Sequence, residues 1–171
     1  SRYEFNKISD LENATAGKEE DGTPYIAFTV DKDHQEFGGT FENAAISSSI
    51  KVIKRGNSKT KKLKGVTFKI EKILADKKTE LVATKETDEN GEILFDNLDP
   101  GDYVLTETKT LPGYTLMKDS INVTVPMALT TKEAEDMKAD TSKGKYDKAK
   151  DLYYFYDLTY DVDNEKTPTP P

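Results

Sequence analysis

Hydrophobic and polar residues alternate with a period of two along most of the chain after residue 46, which is typical of β-strands that bury one face. In the first strand Ile50 and Val52 share a face, and in the next Val66, Phe68 and Ile70 do so. The same alternation is found at Ile93–Phe95, Tyr103–Glu107, Ile121–Val125 and Leu152–Asn164, with a return strand at Glu80–Thr84. Turn clusters rich in Gly, Pro, Asn and Asp separate these runs. The pattern predicts an all-β sandwich or barrel.

The N-terminal segment, residues 1–45, is polar and rich in predicted loops. It contains one clear strand at Tyr25–Val30 and a weaker one at Glu36–Asn43. This is too little apolar material for an independent core. The chain also starts at Ser1 without Met, so we expect a piece of a longer protein. We therefore expect residues 1–45 to be the end of a preceding domain, or strands added to the main one.

The main sandwich is expected to span residues 46–166, with one insertion at residues 130–150. The insertion is rich in Lys, Glu, Asp and Ala, and Thr130 with Glu133 matches the capping box that starts many helices. We therefore predict that the insertion is mainly helical. Residues 167–171 contain three prolines and predict an extended, polyproline-type linker.

Composition excludes several classes of function. The net charge of −7 argues against nucleic acid or an anionic membrane as the main partner. No apolar run reaches the ~20 residues of a membrane-spanning helix, so no membrane insertion is expected. The absence of cysteine excludes disulfides and thiolate metal sites, and a single histidine leaves little for a conventional hydrolase triad. Asp31, Asp33, His34 and Glu36 fit a solvated turn better than a metal site, so we expect no metal.

Three strands end their apolar face on a polar residue, namely Lys54, Glu107 and Asn164. Each residue alone has an ordinary explanation. A lysine at a strand end reaches water along its apolar stem, a glutamate marks where a strand emerges, and an asparagine terminates a strand. A carboxylate on a buried face is nevertheless costly unless it is paired or protonated.

Together the three side chains fit one reaction. Burial can lower the pKa of a lysine amine enough to leave it neutral and nucleophilic. A buried, protonated Glu107 would polarise the side-chain carbonyl of Asn164 and relay protons as ammonia departs. The product is an amide bond between Lys54 and Asn164. The reaction needs no cofactor, and the strands replace a bimolecular encounter by holding the groups near one another.

The residues around Glu107 also resemble a known family. The run Gly91, Phe95, Leu98, Gly101-Asp102-Tyr103-Val104-Leu105-Thr106-Glu107-Thr108, Pro112-Gly113-Tyr114 is similar to the signature of Cna B-type (SpaA-like, prealbumin-like) domains of Gram-positive pilins and surface adhesins. The resemblance covers residues 47–166 and implies an immunoglobulin-like or prealbumin-like Greek-key β-sandwich. It implies that Lys54 is the nucleophile of an isopeptide bond, Glu107 the catalytic acid and base, and Asn164 the electrophile.

Other residues offer alternatives at two points. Lys51 is a rival to Lys54, although alternation places it on the less apolar face of its strand. Asn43 follows Phe41 in a run that resembles the last strand of another such domain. Its partner would lie before Ser1, with Lys7 as a weaker partner within the chain.

The resemblance implies a structural stalk module of a sortase-anchored pilin or adhesin, located at the extracellular cell wall in a pilus. Its bond would form once and autocatalytically, so no enzyme acting on an external substrate is expected. The implied partners are other pilin subunits, or cell-wall peptidoglycan through sortase. The alternative is an adhesin module that binds a host matrix protein through the insertion or through residues 1–45.

Overall fold

A computed structural model of the protein describes residues 1–33, 35–56 and 59–164. The predicted linker at residues 167–171 and His34 lie outside these residues. The strands in the described part are β1 (Tyr3–Glu12), β2 (Thr15–Lys18), β3 (Pro24–Ala27), β4 (Gly38–Ala45), β5 (Ser48–Gly56), β6 (Lys61–Lys62), β7 (Thr67–Ile73), β8 (Thr79–Glu86), β9 (Glu92–Leu98), β10 (Gly101–Lys109), β11 (Ile121–Val125), β12 (Met127–Thr130), β13 (Lys145–Asp147), β14 (Leu152–Phe155) and β15 (Asp157–Asn164). Helix α1 spans Thr131–Asp136, and a 3₁₀ turn spans Thr141–Lys143.

The chain divides into two compact units, residues 2–45 and the part that begins at Ile46. We call them the N-terminal unit and the main unit. The N-terminal unit consists of two antiparallel pairs, β1 with β4 and β2 with β3. β3 and β4 overlap the strands predicted at Tyr25–Val30 and Glu36–Asn43, with shifted ends. Sequence reasoning missed β1 and β2, because most of their residues are exposed and leave no clear hydrophobic alternation.

The main unit contains two larger sheets and one smaller sheet. One larger sheet has the order β11-β10-β7-β8, with antiparallel neighbours throughout. In the other larger sheet, β5 lies between β15 on one side and β9 and β6 on the other. β5 and β15 are parallel, so the first and last strands of the main unit run side by side in the same direction. Their register places Leu158 opposite Ile50 and Val162 opposite Lys54.

Both larger sheets contribute to a single hydrophobic core. Most of its buried residues come from the faces predicted by alternation, namely Ile50, Val52, Val66, Phe68, Ile70, Ile93, Phe95, Tyr103, Leu105, Val123, Val125 and Leu158. Leu94, between Ile93 and Phe95, is 45% exposed, which confirms the period of two in β9. The all-β class predicted from sequence is confirmed.

The prediction that the insertion at residues 130–150 is mainly helical is wrong. The capping box itself is present, since the backbone N–H of Glu133 donates to Thr130 Oγ1 and that of Thr130 donates to Glu133 Oε1, both at 3.1 Å. Helix α1 nevertheless has only six residues and buries only Ala134. A helix with so little buried surface lacks the tertiary packing that stabilises longer ones. The rest of the insertion contains the 3₁₀ turn and β13, which joins β12 and β14 in a small sheet.

The long alternating run Leu152–Asn164 is not one strand. It breaks at Tyr156 into β14, which pairs with β12 and β13, and β15, which pairs with β5. The buried face shifts at the break, because Phe155 is buried in β14 where alternation predicts Tyr154 and Tyr156. After the break the predicted face is retained through Leu158 to Asn164.

Candidate functional site

Lys54 is buried because it continues the apolar face of β5. Buried and half-buried residues alternate along the whole strand, and Lys54 has no exposed surface. Its backbone is fixed on both sides, since its N–H donates to the carbonyl of Gly91 at 2.7 Å and its carbonyl accepts from the N–H of Leu63 at 3.0 Å. Lys51, the rival nucleophile, is half-buried and lies on the opposite face of the strand.

Glu107 and Asn164 are buried on two further strands. Glu107 follows Tyr103 and Leu105 on the inner face of β10, and its register partner is Phe68 in β7. Asn164 is the last residue of β15 and lies opposite Gly56 of β5. Glu107 is 3% exposed and Asn164 is 2% exposed, so neither side chain has appreciable contact with water.

The structure brings Lys54, Glu107 and Asn164 into direct contact. Lys54 Nζ lies 2.5 Å from Asn164 Oδ1 and 3.3 Å from Glu107 Oε1. Asn164 Nδ2 donates to the same Glu107 Oε1 at 3.1 Å. A single carboxylate oxygen therefore contacts both the lysine nitrogen and the amide nitrogen of the asparagine. The carbonyl oxygen of Asn164, which we expected Glu107 to polarise, instead accepts from Lys54 Nζ.

The segment between β10 and β11 supplies further contacts that sequence reasoning missed. The backbone N–H of Met117 donates to Glu107 Oε2 at 2.8 Å, which orients the carboxyl group and leaves Oε1 facing the other two side chains. Thr110 Oγ1 accepts a hydrogen bond from Asn164 Nδ2 at 2.8 Å. The aromatic ring of Tyr114 packs over Gly56, where an added Cβ would lie 2.5 Å from a ring carbon.

The electrostatics of the site make it easier for the Lys54 ammonium to lose a proton than it is in water. Burial lowers the pKa of Lys54, and the neighbouring Glu107 opposes that effect without cancelling it. The ring of Phe68 lies 5.7 Å from Lys54 Nζ and adds an apolar wall. Neither side chain of the Lys54–Glu107 pair is exposed, so their interaction is not screened by solvent.

The other candidates from sequence have different surroundings. Asn43 is exposed on β4, and the ammonium of Lys7 lies 3.5 Å from Glu42. Over the residues that the structure describes, no group of three or more acidic, His or Cys side chains could hold a metal ion. Among the same residues, no helix has the length and apolar character to cross a membrane.

Comparison with protein families identifies the domain. The family model for SpaA, a prealbumin-like fold domain, matches residues 48–140, which is more than half of the chain. The chain belongs to the SpaA family. The match covers β5 through β12 and therefore includes Lys54 and Glu107. The prealbumin-like fold implied by the sequence resemblance is thus confirmed. No curated protein sequence matches the chain.

Solved structures similar to this SpaA-family chain include Gram-positive pilins. The full-length major pilin SpaD of Corynebacterium diphtheriae is 26% identical, with a TM-score of 0.50, over 71% of this chain and 30% of that one. A variant of BcpA, the major pilin subunit of Bacillus cereus, is 22% identical, with a TM-score of 0.49, over 72% of this chain and 30% of that one. The chain therefore spans 30% of the length of each pilin.

Gly91 is expected to be required for the position of Lys54 in this SpaA-family domain. Its φ is +71°, and a Cβ at this position would lie 2.7 Å from the carbonyl oxygen of Lys54. Gly91→Ala should lower the free energy of unfolding by about 3 kcal/mol, through backbone strain and overpacking. Gly113→Ala is the matched control, because Gly113 has a φ of +83° with nothing within 4 Å of the added Cβ. The control should lose only about 1 kcal/mol in chemical denaturation. Equal losses would contradict the steric role of Gly91.

Proposed function

We propose that the main unit is a structural module of a pilus shaft or related surface stalk, stabilised by an autocatalytic amide bond between Lys54 and Asn164. The observation that carries the proposal is the position of Glu107 Oε1, within 3.3 Å of Lys54 Nζ and 3.1 Å of Asn164 Nδ2. One oxygen that touches both the nucleophile and the leaving nitrogen can move protons between them. Membership of the SpaA family and the similarity to the pilin SpaD support the structural role.

The proposed reaction balances without any added reagent. Glu107 first takes a proton from the Lys54 ammonium, which neutralises both groups and frees the nitrogen lone pair. The amine attacks Cγ of Asn164, and the C–Nδ2 bond breaks as Nδ2 receives the proton from Glu107. The attacking nitrogen returns a second proton to Glu107. The products are the Lys54–Asn164 amide, ammonia and a neutral Glu107. Two buried charges are removed, so the product state avoids their desolvation cost.

The low barrier to this reaction would come from preorganisation. Lys54 Nζ is already in contact with the Asn164 side chain, and β5 and β15 are held in register by the sheet. Such positioning replaces the entropy cost of a bimolecular encounter, which can amount to ~7–11 kcal/mol of a barrier. The module would therefore act on itself once, without turnover of an external substrate.

The strand arrangement favours a mechanical role. Tension on the N-terminal end of β5 and the C-terminal end of β15 would shear these two parallel neighbours past each other. A bond from Lys54 to Asn164 lies near the C-terminal ends of both strands, so tension would pass along β5, across the bond and out of the domain. The hydrogen bonds of residues 55–163 would then bear little of the load.

The remaining assignments follow from the family and from SpaD, and they are part of the same proposal. We expect other pilin subunits as partners and sortase-mediated attachment to cell-wall peptidoglycan, outside the cell. Residues 46–166 would form the module, with residues 1–45 as the end of a preceding domain or as added strands. Residues 167–171 would form the linker toward a sorting signal.

Peptide mapping tests the proposed bond and its nucleophile together. Trypsin should release a branched peptide in which Val52–Arg55 is joined to Asp151–Lys166, because an acylated Lys54 is no longer cleaved. If Lys51 were the nucleophile, the branch would instead join residues 33–54 to Asp151–Lys166. The proposal would be contradicted if only linear peptides were recovered, one ending at Lys54 and another containing an unmodified Asn164.

A further inference from the structure

We propose that Thr110 is a positioning residue for bond formation, which holds the amide of Asn164 with its carbonyl oxygen toward Lys54. This inference rests on the proposed function. It concerns the first residue after β10, which strict alternation would place on the outer side together with Thr106 and Thr108.

The hydrogen bonds of Asn164 define one orientation of its amide group. Nδ2 donates to Thr110 Oγ1 at 2.8 Å and to Glu107 Oε1 at 3.1 Å, which uses both of its hydrogens. Oδ1 accepts from Lys54 Nζ. The flipped amide would direct its NH₂ group at the Lys54 ammonium and its oxygen at the Glu107 carboxylate. Both contacts would be unfavourable, donor against donor and acceptor against acceptor.

Thr110 shares with Glu107 the task of holding the leaving nitrogen. Glu107 must change its protonation state three times during the proposed reaction, and each change alters what it can accept from Nδ2. The hydroxyl of Thr110 does not titrate, so its acceptor remains available throughout. Thr110 would thus keep the plane of the Asn164 amide fixed, with Cγ of Asn164 accessible to the Lys54 amine, while Glu107 transfers protons.

A β-bulge explains how Thr110 reaches the site. In the pairing of β10 with β7, Glu107 lies opposite Phe68 and Lys109 lies opposite Thr67, so Thr108 is the extra residue. Strict alternation would bring Lys109 to the face of Glu107 and turn Thr110 outward. The bulge reverses this order, because Lys109 is exposed and Thr110 is half-buried against Asn164. The bulge also keeps a second lysine away from the amide.

The test compares rates of bond formation. The full chain is synthesised in a cell-free system, denaturant stops samples at intervals, and intact mass gives the fraction that has lost one ammonia. Thr110→Val keeps the side-chain shape and removes the acceptor, and we expect it to slow the reaction about tenfold, the effect of one lost hydrogen bond. Thr110→Ser should react at close to the wild-type rate. Thr106→Val is the matched control, because the hydroxyl of Thr106 contacts Ser120 on the exposed face of β10, away from Asn164.

Each outcome has a defined meaning. A normal rate for Thr110→Val overturns the inference, and so does equal slowing by Thr110→Ser, which would indicate packing rather than the hydroxyl. Thr110→Ala is measured in parallel in case the valine methyl groups disturb the fold, and it must be slow as well. If the wild type itself never loses ammonia, the proposed function fails and this inference fails with it. If the wild type loses ammonia and Thr110→Val does so at the same rate, the role of Thr110 is contradicted but the proposed function is not.

Discussion

Asn164→Ala is expected to lower the free energy of unfolding of the main unit by about 5 kcal/mol. The proposed bond joins residues 110 positions apart in sequence, and closing a loop of that length restricts the unfolded chain by about this amount in the entropy model used for disulfides. The midpoint temperature of thermal unfolding should decrease by about 20 °C. In the variant Lys54 and Glu107 remain paired with each other, so neither charge is left without a partner, and the loss reports mainly the bond and the local contacts of Asn164.

A double variant separates the bond from those local contacts. If Asn164→Ala and Glu107→Gln both act by preventing the same bond, their combination should cost far less than the sum of the two single effects. Chemical denaturation of wild type, both single variants and the double variant gives the coupling directly. Additive effects, or an Asn164→Ala variant within about 1 kcal/mol of wild type, would contradict the cross-link.

Glu107→Gln is expected to prevent bond formation and to leave a buried lysine without a counter-charge. Glutamine preserves the shape of the side chain, but it cannot accept the proton of Lys54 and pass it on to Asn164 Nδ2. Removal of one partner of a buried ion pair costs about 3–5 kcal/mol, so this variant should be less stable than the equally unlinked Asn164→Ala. Its stability should also depend on pH in a defined direction.

The direction of that pH dependence follows from the pKa of Lys54. Burial holds the pKa of Lys54 below the ordinary 10.5 in the folded protein. At pH values between the lowered pKa of the folded protein and 10.5, the unfolded chain therefore binds more protons than the folded protein. The free energy of unfolding of Glu107→Gln should therefore rise with pH in this window. Measurements should extend up to pH 10.5 with the control at the same pH values, because burial raises the pKa of Tyr103 and its ionisation contributes a slope of the opposite sign. Lys54→Met combined with Glu107→Gln is the control and should lose the rise with pH. A rise that persists in the control would contradict the assignment to Lys54.

The buried faces and three of the site residues could be predicted from sequence because alternation is a local property. In β5, and from Tyr103 to Glu107 in β10, every second residue is buried, so Lys54 and Glu107 could be assigned to the core without knowledge of the fold. Alternation also places Asn164 on the correct face, although the predicted run Leu152–Asn164 is too long for one strand. The break at Tyr156 lies before β15 and does not change the alternation within it.

Other features depend on interactions that local patterns do not encode. The parallel pairing of β5 with β15 joins distant segments, and the short α1 reflects how little of the insertion is buried. Thr110 was missed for a similar reason. Its side chain reaches Asn164 because of a register shift between β10 and β7, and such a bulge is a property of the pair of strands rather than of either sequence.

The intact mass of the purified wild-type chain, measured beside Glu107→Gln, tests the central claim most directly. Formation of the Lys54–Asn164 amide releases one ammonia, so the wild type should be lighter than the mass calculated from its sequence by one ammonia. Glu107→Gln should match its own calculated mass, because the proton relay between Lys54 and Asn164 is missing. A wild type that matches its unmodified mass would contradict the account, and so would a Glu107→Gln variant that loses ammonia as completely as the wild type.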